Sequence, residues 1–419
     1  MKVSSHGPHQ GPEAQSAPSH FYRVLDASHE GRASVPIGLD RPGPAVSTKQ
    51  VGLDAPANTW NGVPRHVTQR GGGRARSTDL EELVHSLTPT TISSTVEAVV
   101  ISKFGGPEVL EIRRVPKHVP ANGEVLIRVK AFGLNHAESH MRKGEWDEWN
   151  PISGIECSGI VEACPGGEFA VGSTVIGVMG GMGRSRPGGY GDFVSVPATN
   201  VVSVKTGLAW QELAAIPEVY ATVYSCLFTI LDLQRGETLL IRGATSTVGQ
   251  AALHLAVDAG AKVTATTRRE ARFDLLRKMG ATEVIKESSG LAKVLPKSRV
   301  FDKVLNLVGN CVLLESIDIT RVGGRMLQAG WLGGLAPVED FNPMLQMKPG
   351  VHFSLFHSKV LGTADFPMSR IPLQEIAVKI EQGAWEAKPA YVFHIRDIRK
   401  AHELLDSGDA GGKIVVVRE

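Results

Sequence analysis

The most constraining stretch of this chain runs from residue 238 to 285, where short apolar runs alternate with helical ones. Thr238–Arg242 reads as a buried strand, Val248–Ala259 as a helix, Lys262–Thr267 as a strand, Glu270–Met279 as a helix and Thr282–Ile285 as a strand. Strands joined through helices lie side by side in the same direction, so the alternation predicts βαβ units on a doubly wound parallel sheet. Val304–Leu307 and Arg325–Ala329 supply further strands.

The first βα turn reads Arg242-Gly243-Ala244-Thr245-Ser246-Thr247-Val248-Gly249. It follows a predicted strand and opens a predicted helix, the setting in which backbone N–H groups and the helix dipole hold a pyrophosphate. Small residues are needed there because a phosphate must come close to the backbone. The strict G-x-G-x-x-G spacing is broken, since Ala244 and Ser246 stand at the first two glycine positions and only Gly249 matches. A glycine-bearing turn without a ligand is the plainer alternative. Nineteen positions beyond Gly249, where NAD-binding units place an acid for the ribose hydroxyl, stands Arg268. The segment Thr266-Thr267-Arg268-Arg269 has no acid until Glu270. A guanidinium suits a 2′-phosphate and a carboxylate repels one, so the expected cofactor is NADPH. Thr267, Arg268 and Arg269 then join the turn as cofactor-binding residues. The alternative is that the two arginines form a solvated helix start.

Ahead of this unit the texture is different. Residues 1–92 are rich in Gly, Pro, Ser, His and Arg, run through Gly71-Gly72-Gly73 and show little periodicity. Such a composition cannot bury enough apolar surface to offset chain entropy, so a disordered extension is expected, with a short helix over Thr78–Leu87. A transit peptide is the alternative, weakened by the acids and prolines and by the lack of an Arg-rich amphipathic face. From Val96 onward, β-type runs (Val96–Ile101, Val109–Ile112, Val125–Ala131, Val175–Val178, Phe193–Val196) predict a β-rich domain over 93–217. The nucleotide-binding domain follows over 218–356. A return segment over 357–419, read as β in texture and ending in Lys413–Val417, is expected to complete the first domain.

Composition narrows the partners. A net charge of +2, with 42% hydrophobic and 21% charged residues, gives no electrostatic case for a nucleic-acid or membrane-surface partner. No run approaches the ~18 consecutive apolar residues of a membrane span, and no apolar leader follows the first methionine. The four cysteines lack a C-x-x-C pair, which argues against a disulfide framework or a thiolate metal cluster and for a reducing, cytoplasmic setting.

Several phrases, in order, resemble the quinone oxidoreductase branch of the medium-chain dehydrogenase/reductases over about residues 96–419. They are Gly105-Gly106-Pro107-Glu108-Val109-Leu110, Pro120-Ala121-Asn122-Gly123-Glu124-Val125, Gly133-Leu134-Asn135, Gly189-Tyr190-Gly191, Ile216-Pro217-Glu218, Gly280-Ala281-Thr282 and Gly411-Gly412-Lys413-Ile414-Val415-Val416. The resemblance implies an α/β chain, a GroES-like β-rich catalytic domain on a Rossmann domain, with the active site in the cleft between them and a homodimer as assembly. Zinc enzymes of this fold carry Cys where Asn135 stands and Gly-His-Glu where this chain has Gly154-Ile155-Glu156. Only Glu156 remains of that ligand set, and catalytic zinc needs three protein ligands, so a zinc-independent enzyme is implied.

Without a Lewis acid, the hydride acceptor must be activated by its own conjugation and by donors near the developing oxyanion. Quinones and α,β-unsaturated carbonyls meet that condition. The resemblance places Asn135 beside the nicotinamide and the substrate carbonyl and Thr222 against the nicotinamide, and His140, further along the same loop-helix segment as Asn135, is a candidate donor or proton relay. The plainer alternatives are a turn asparagine and a surface histidine. Glu218 is a candidate acid or a helix-dipole charge, Tyr190 a packing residue, and Trp146 and Trp149 pocket walls or core anchors. The expected reaction is hydride transfer from NADPH to a quinone or enone. The alternatives are a tailoring enoyl reductase of secondary metabolism and a non-enzymatic, crystallin-like nucleotide-binding protein.

Overall fold

The structure, a computed structural model, describes residues 94–418. The expectations for residues 1–92, the helix over Thr78–Leu87 included, lie outside the described residues. The chain opens with an antiparallel pair, β1 (Thr95–Ile101) and β2 (Leu110–Pro116). It continues through β3 (Glu124–Gly133), α1 (His136–Arg142), β4 (Glu156–Ala163), β5 (Thr174–Val178), β6 (Phe193–Pro197) and β7 (Val201–Ser203). Alternation in β3 turns Val125, Ile127 and Val129 toward a buried core shared with Val161, Val175, Val194 and Val196. At about 1.5–3 kcal/mol for each fully buried apolar side chain, that face fixes the register. β3 pairs antiparallel with both β4 and β6.

Helix α2 (Pro217–Tyr224) starts with proline at its first position, where the missing N–H costs nothing, and runs on into a π-helical turn at Ser225–Ile230. The stretch Trp210–Ile230 is apolar and long enough to cross a bilayer, but its most apolar 18-residue window is 78% buried inside the protein. Val219, Val223 and Leu227 pack against Ile176, Leu239, Ile241 and Ala252, so one core joins the two sheets.

The second sheet comprises β8 (Thr238–Arg242), β9 (Lys262–Thr267), β10 (Glu283–Lys286), β11 (Phe301–Asn306), β12 (Thr320–Gln328) and β13 (His352–Leu355), with α3 (Thr247–Asp258) between β8 and β9. Its strands are all parallel in the order β10-β9-β8-β11-β12-β13. This is the doubly wound order, and the chain reverses between β8 and β11, where such sheets open a crevice at the carboxyl ends of the strands. β8 and β9 have the bounds expected from the sequence. The helix expected over 270–279 is instead a 3-10 turn, Glu270–Arg272, followed by an α-helix, Phe273–Lys278.

The tail departs from the β texture read for it. It holds two helices, α4 (Leu373–Glu381) and α5 (Ile398–Ser407), before and after the short strand β14 (Tyr391–His394). Leu373, Ile376, Ala377 and Ile380 are buried at helical spacing, as are Ile398, Ala401, His402 and Leu405. The period of those two segments is helical; the short β14 and the last run, β15 (Ile414–Val417), are extended. β15 lies parallel to β14 and antiparallel to β3, with Val415 opposite Gly133. That pairing carries Lys413 to the end of β3.

Candidate functional site

A cleft of about 940 Å³ is lined by residues from both sheets and from the tail. At one part of it, β8 ends in Gly243, whose φ of +84° is a backbone state that suits glycine. Ser246 caps α3: its Oγ accepts from the Gly249 N–H at 3.1 Å and donates to the Gly243 carbonyl at 2.9 Å. The N–H groups of Thr247 and Val248 then open a twelve-residue helix with no carbonyl of an earlier turn behind them. Gly243, Thr245, Ser246, Thr247 and Val248 line the cleft, whereas Ala244 is fully buried beneath it. Gly249 serves packing. A Cβ there would lie 2.5 Å from the Gly243 oxygen and 2.6 Å from the Ala244 Cα, so only glycine lets α3 sit on the end of β8.

At the end of β9, Thr267, Arg268 and Arg269 also line the cleft, together with Arg272, which the sequence did not single out. The Thr267 hydroxyl lies 3.2 Å from that of Thr245. Arg269 reaches Asp409 at 3.3 Å across open surface, a pairing worth little, while Arg268 has no ion-pair partner among the described residues. The carboxylate in this region, Glu287, is engaged: it accepts from Arg242 Nη2 at 2.5 Å and from the Thr266 hydroxyl.

Elsewhere in the cleft a buried polar cluster forms around the start of α1. Asn135 Nδ2 donates to Glu156 Oε1 at 2.9 Å and, at 3.4 Å, to Glu138 Oε1. Lys413 Nζ donates to Asn135 Oδ1 at 2.7 Å and to Glu156 Oε1 at 2.6 Å. Glu156 Oε2 accepts the Glu218 N–H at 2.8 Å, and Glu218 Oε1 accepts the Thr222 hydroxyl at 2.9 Å. Glu138 accepts the backbone N–H groups of Asn135 and Ile155. Gly133 makes room for this: a Cβ on it would lie 2.6 Å from Glu156 Oε1 and 2.9 Å from Lys413 Nζ.

Three carboxylates therefore surround one ammonium. Burial pushes the Glu138 carboxyl up to about 7, and it raises Glu218 as well, with the charge of Lys413 opposing both shifts. An ammonium has three donors, two of which are engaged inside the protein, and Lys413 lines the cleft.

Aromatic residues form the remaining wall. Trp331 Nε1 donates to His140 Nε2 at 3.3 Å, which leaves the ring proton on Nδ1, facing Glu145 Oε2 at 2.5 Å. This network assigns the neutral Nδ1–H tautomer. The His140 ring stacks on Trp146 at 5.3 Å, and Trp331 stands edge-on to both. Trp149 faces Phe104 instead and does not line the cleft. Tyr190 is fully buried on Phe132, with its hydroxyl 2.9 Å from His402 Nε2, so it packs.

The structure thus gathers Asn135, His140, Thr222, most of the Gly243–Gly249 turn and Thr267–Arg269 into one cleft. The Asn135 amide donates to two carboxylates, Glu156 and Glu138. Sequence reasoning missed Lys413, Glu138, Trp331 and Arg272. Lys413 stood in a quoted phrase, but nothing local tells that it meets a residue 278 positions earlier. Among the described residues, no group of three or more His, Cys, Asp or Glu side chains is arranged to hold a metal ion.

The sequence profile of the alcohol dehydrogenase GroES-like domain matches residues 121–206, and that of the zinc-binding dehydrogenases matches residues 247–373. The quinone oxidoreductase of Sus scrofa is 28% identical over 341 residues, covering 77% of this chain and 98% of that protein. The highly reducing polyketide synthase AN6791 of Emericella nidulans is 29% identical over 308 residues, 70% of this chain. The chain spans 11% of that synthase's length. The crystal structure of the CurK enoyl reductase has the same fold, with a TM-score of 0.66 at 23% identity over 77% of this chain and 99% of that one.

Proposed function

Because the chain belongs to the medium-chain dehydrogenase/reductases and is quinone oxidoreductase-like among them, we propose that it transfers hydride from NADPH to a quinone or α,β-unsaturated carbonyl without a metal. The observation that carries this reading is the Lys413 ammonium lying between Asn135 and Glu156. Those are positions at which the zinc enzymes of this fold ligate their metal, and here a cation from the chain itself neutralises Glu156. A zinc ion would have to displace it, and at the positions the zinc enzymes use it would find only the Glu156 carboxylate, the Asn135 amide and Ile155, short of that three-ligand set.

The residues present fit a dinucleotide phosphate. The small-residue turn with its two forward N–H groups suits a pyrophosphate, and Arg268 and Arg272 suit a 2′-phosphate. NADPH, when bound, supplies the hydride. The chain's own part is at the acceptor. The third N–H of Lys413 donates to the acceptor oxygen as it gains negative charge, and the proton the reduced product needs stands on the same nitrogen. One such donor is worth roughly a hundred- to a thousandfold in kcat. Asn135 acts as a positioning residue, since its amide holds Glu156 and its carbonyl holds Lys413. His140, with both ring nitrogens engaged, builds the wall.

The likeness to polyketide synthases favours a second acceptor of the same chemical kind, an enoyl thioester of secondary metabolism. We also propose that the protein works in the cytoplasm with its four cysteines as free thiols, and as a homodimer. The dimer reading rests on β13, an edge strand that leaves Phe353 and Leu355 exposed. Following NADPH absorbance with a panel of quinones, enones and enoyl thioesters tests the reaction. Turnover of a conjugated acceptor supports it. Tight NADPH binding with no turnover across the panel would favour a non-enzymatic nucleotide-binding protein.

A further inference from the structure

A further cation faces the same cleft and no step above uses it. Arg184 sits in the loop between β5 and β6, with its side chain 8% exposed. Its guanidinium lies over the Trp146 ring, 5.1 Å from the centroid, which fixes it against the aromatic wall. Its charge is poorly matched. Glu148, 55% exposed, approaches only to 3.4 Å and is shared at that distance with Lys359. Arg184 Nε is buried without a hydrogen-bond partner among the described residues. A guanidinium donor left unpaired in a water-poor site is costly, and this one, unlike the unpaired Nε atoms of Arg142 and Arg418, belongs to a residue that lines the cleft. His357, on the neighbouring wall, has its pKa lowered by burial and by the charges of Arg184 and Lys359, against Glu148, so the ring stays neutral and adds no charge of its own. The cofactor's phosphates have their own candidates in Arg268 and Arg272, on the other sheet.

We propose that Arg184 is a specificity-determining residue that binds a carboxylate carried by the conjugated acceptor. The acceptor ring or enone lies along the aromatic wall toward Lys413, and its acidic substituent takes the free Arg184 donors in the planar fork that guanidinium and carboxylate share. This rests on the proposed reaction only for the direction in which the acceptor points; the anion site stands on Arg184 and Trp146 alone.

The test uses the full chain and a matched pair of probes, neutral 1,4-naphthoquinone and its 2-sulfonate, the sulfonate standing for the carboxylate. Steady-state KM and, separately, equilibrium binding by quenching of tryptophan fluorescence are measured for both probes with the wild type, Arg184→Lys and Arg184→Met. The expected result is a wild-type preference for the charged probe of about tenfold or more, the scale of one charge-assisted hydrogen bond. Arg184→Lys keeps part of that preference and Arg184→Met brings the ratio near one. Damage to the fold would weaken both probes together and leave the ratio standing. Equal affinities in the wild type, or a ratio that survives Arg184→Met, overturns the proposal. If neither probe is reduced yet the charged one still binds in an Arg184-dependent way, the proposed reaction fails and the anion site holds.

Discussion

Replacing Lys413 by methionine removes the ammonium while keeping most of the stem volume, so stability and rate can be read apart. At 2.6 Å from Glu156 Oε1, and with an effective dielectric of about 20, the gross Coulomb attraction is about 6 kcal/mol. The net loss is smaller. Removing one partner of a buried pair costs about 3–5 kcal/mol, because the other charge is stranded. Glu156 is fully buried but keeps two donors, Asn135 Nδ2 and the Glu218 N–H, which places the expected loss near the lower end, about 3 kcal/mol. Denaturant unfolding measures it. The rate should fall about a hundredfold or more in the folded fraction, since the donor to the acceptor oxygen is gone. The decisive control is Lys413→Met combined with Glu156→Gln. Removing the stranded carboxylate should recover most of the stability while the rate stays low. A folded Lys413→Met protein with wild-type kcat would refute the assignment, and equal stability in wild type and variant would refute the electrostatic argument beneath it.

Four further outcomes are expected. Gly133→Ala puts a methyl 2.9 Å from Lys413 Nζ and 2.6 Å from Glu156 Oε1, so the ammonium must move, and kcat should drop about tenfold or more with a modest fall in melting temperature. Arg268→Asp should erase or reverse the preference for NADPH over NADH, a change of about ten- to a hundredfold in the ratio of dissociation constants; an unchanged ratio would remove Arg268 from the site. Gly249→Ala pushes α3 off the end of β8, against backbone atoms at 2.5 and 2.6 Å, and should cost about 1–3 kcal/mol of stability together with weaker nucleotide binding in a titration. Glu138, raised by burial to about 7, binds a proton in the native state that the unfolded chain has released above about 4.5. Its contribution to stability therefore falls as pH rises through that window, by about 3 kcal/mol at most, and is level above it; Glu138→Gln should flatten that slope in unfolding measured from pH 5 to about 8.

The parts of the fold that could be read in advance were those whose signal is local. The strands at 238–242 and 262–267 announce themselves as apolar runs between helical ones, and the turn between them does so through its small residues. The helices at 373–381 and 398–407 were misread because their buried positions are interleaved with Gln, Glu, Lys and Arg, so the apolar runs look short and strand-like until the 3.6-residue spacing is followed through. The site divides in the same way. Asn135 and Ile155 could be compared with the zinc enzymes position by position. Lys413, which bonds Asn135, stands just ahead of β15, and the pairing of that last strand with β3 is a tertiary fact that no window of sequence contains. Arg184 and Trp331 belong to loops of different sheets and line one cleft only when both sheets are in place.

On the proposed mechanism, conjugated acceptors are reduced by NADPH with a lysine ammonium, and no metal, at the acceptor oxygen. The direct measurement is NADPH turnover of a quinone by protein exhaustively treated with chelator, with metal content determined on the same sample. The expected result of that mechanism is undiminished turnover at metal far below one equivalent, and no gain when zinc is added back. Activity that disappears with the chelator and returns with zinc would contradict it.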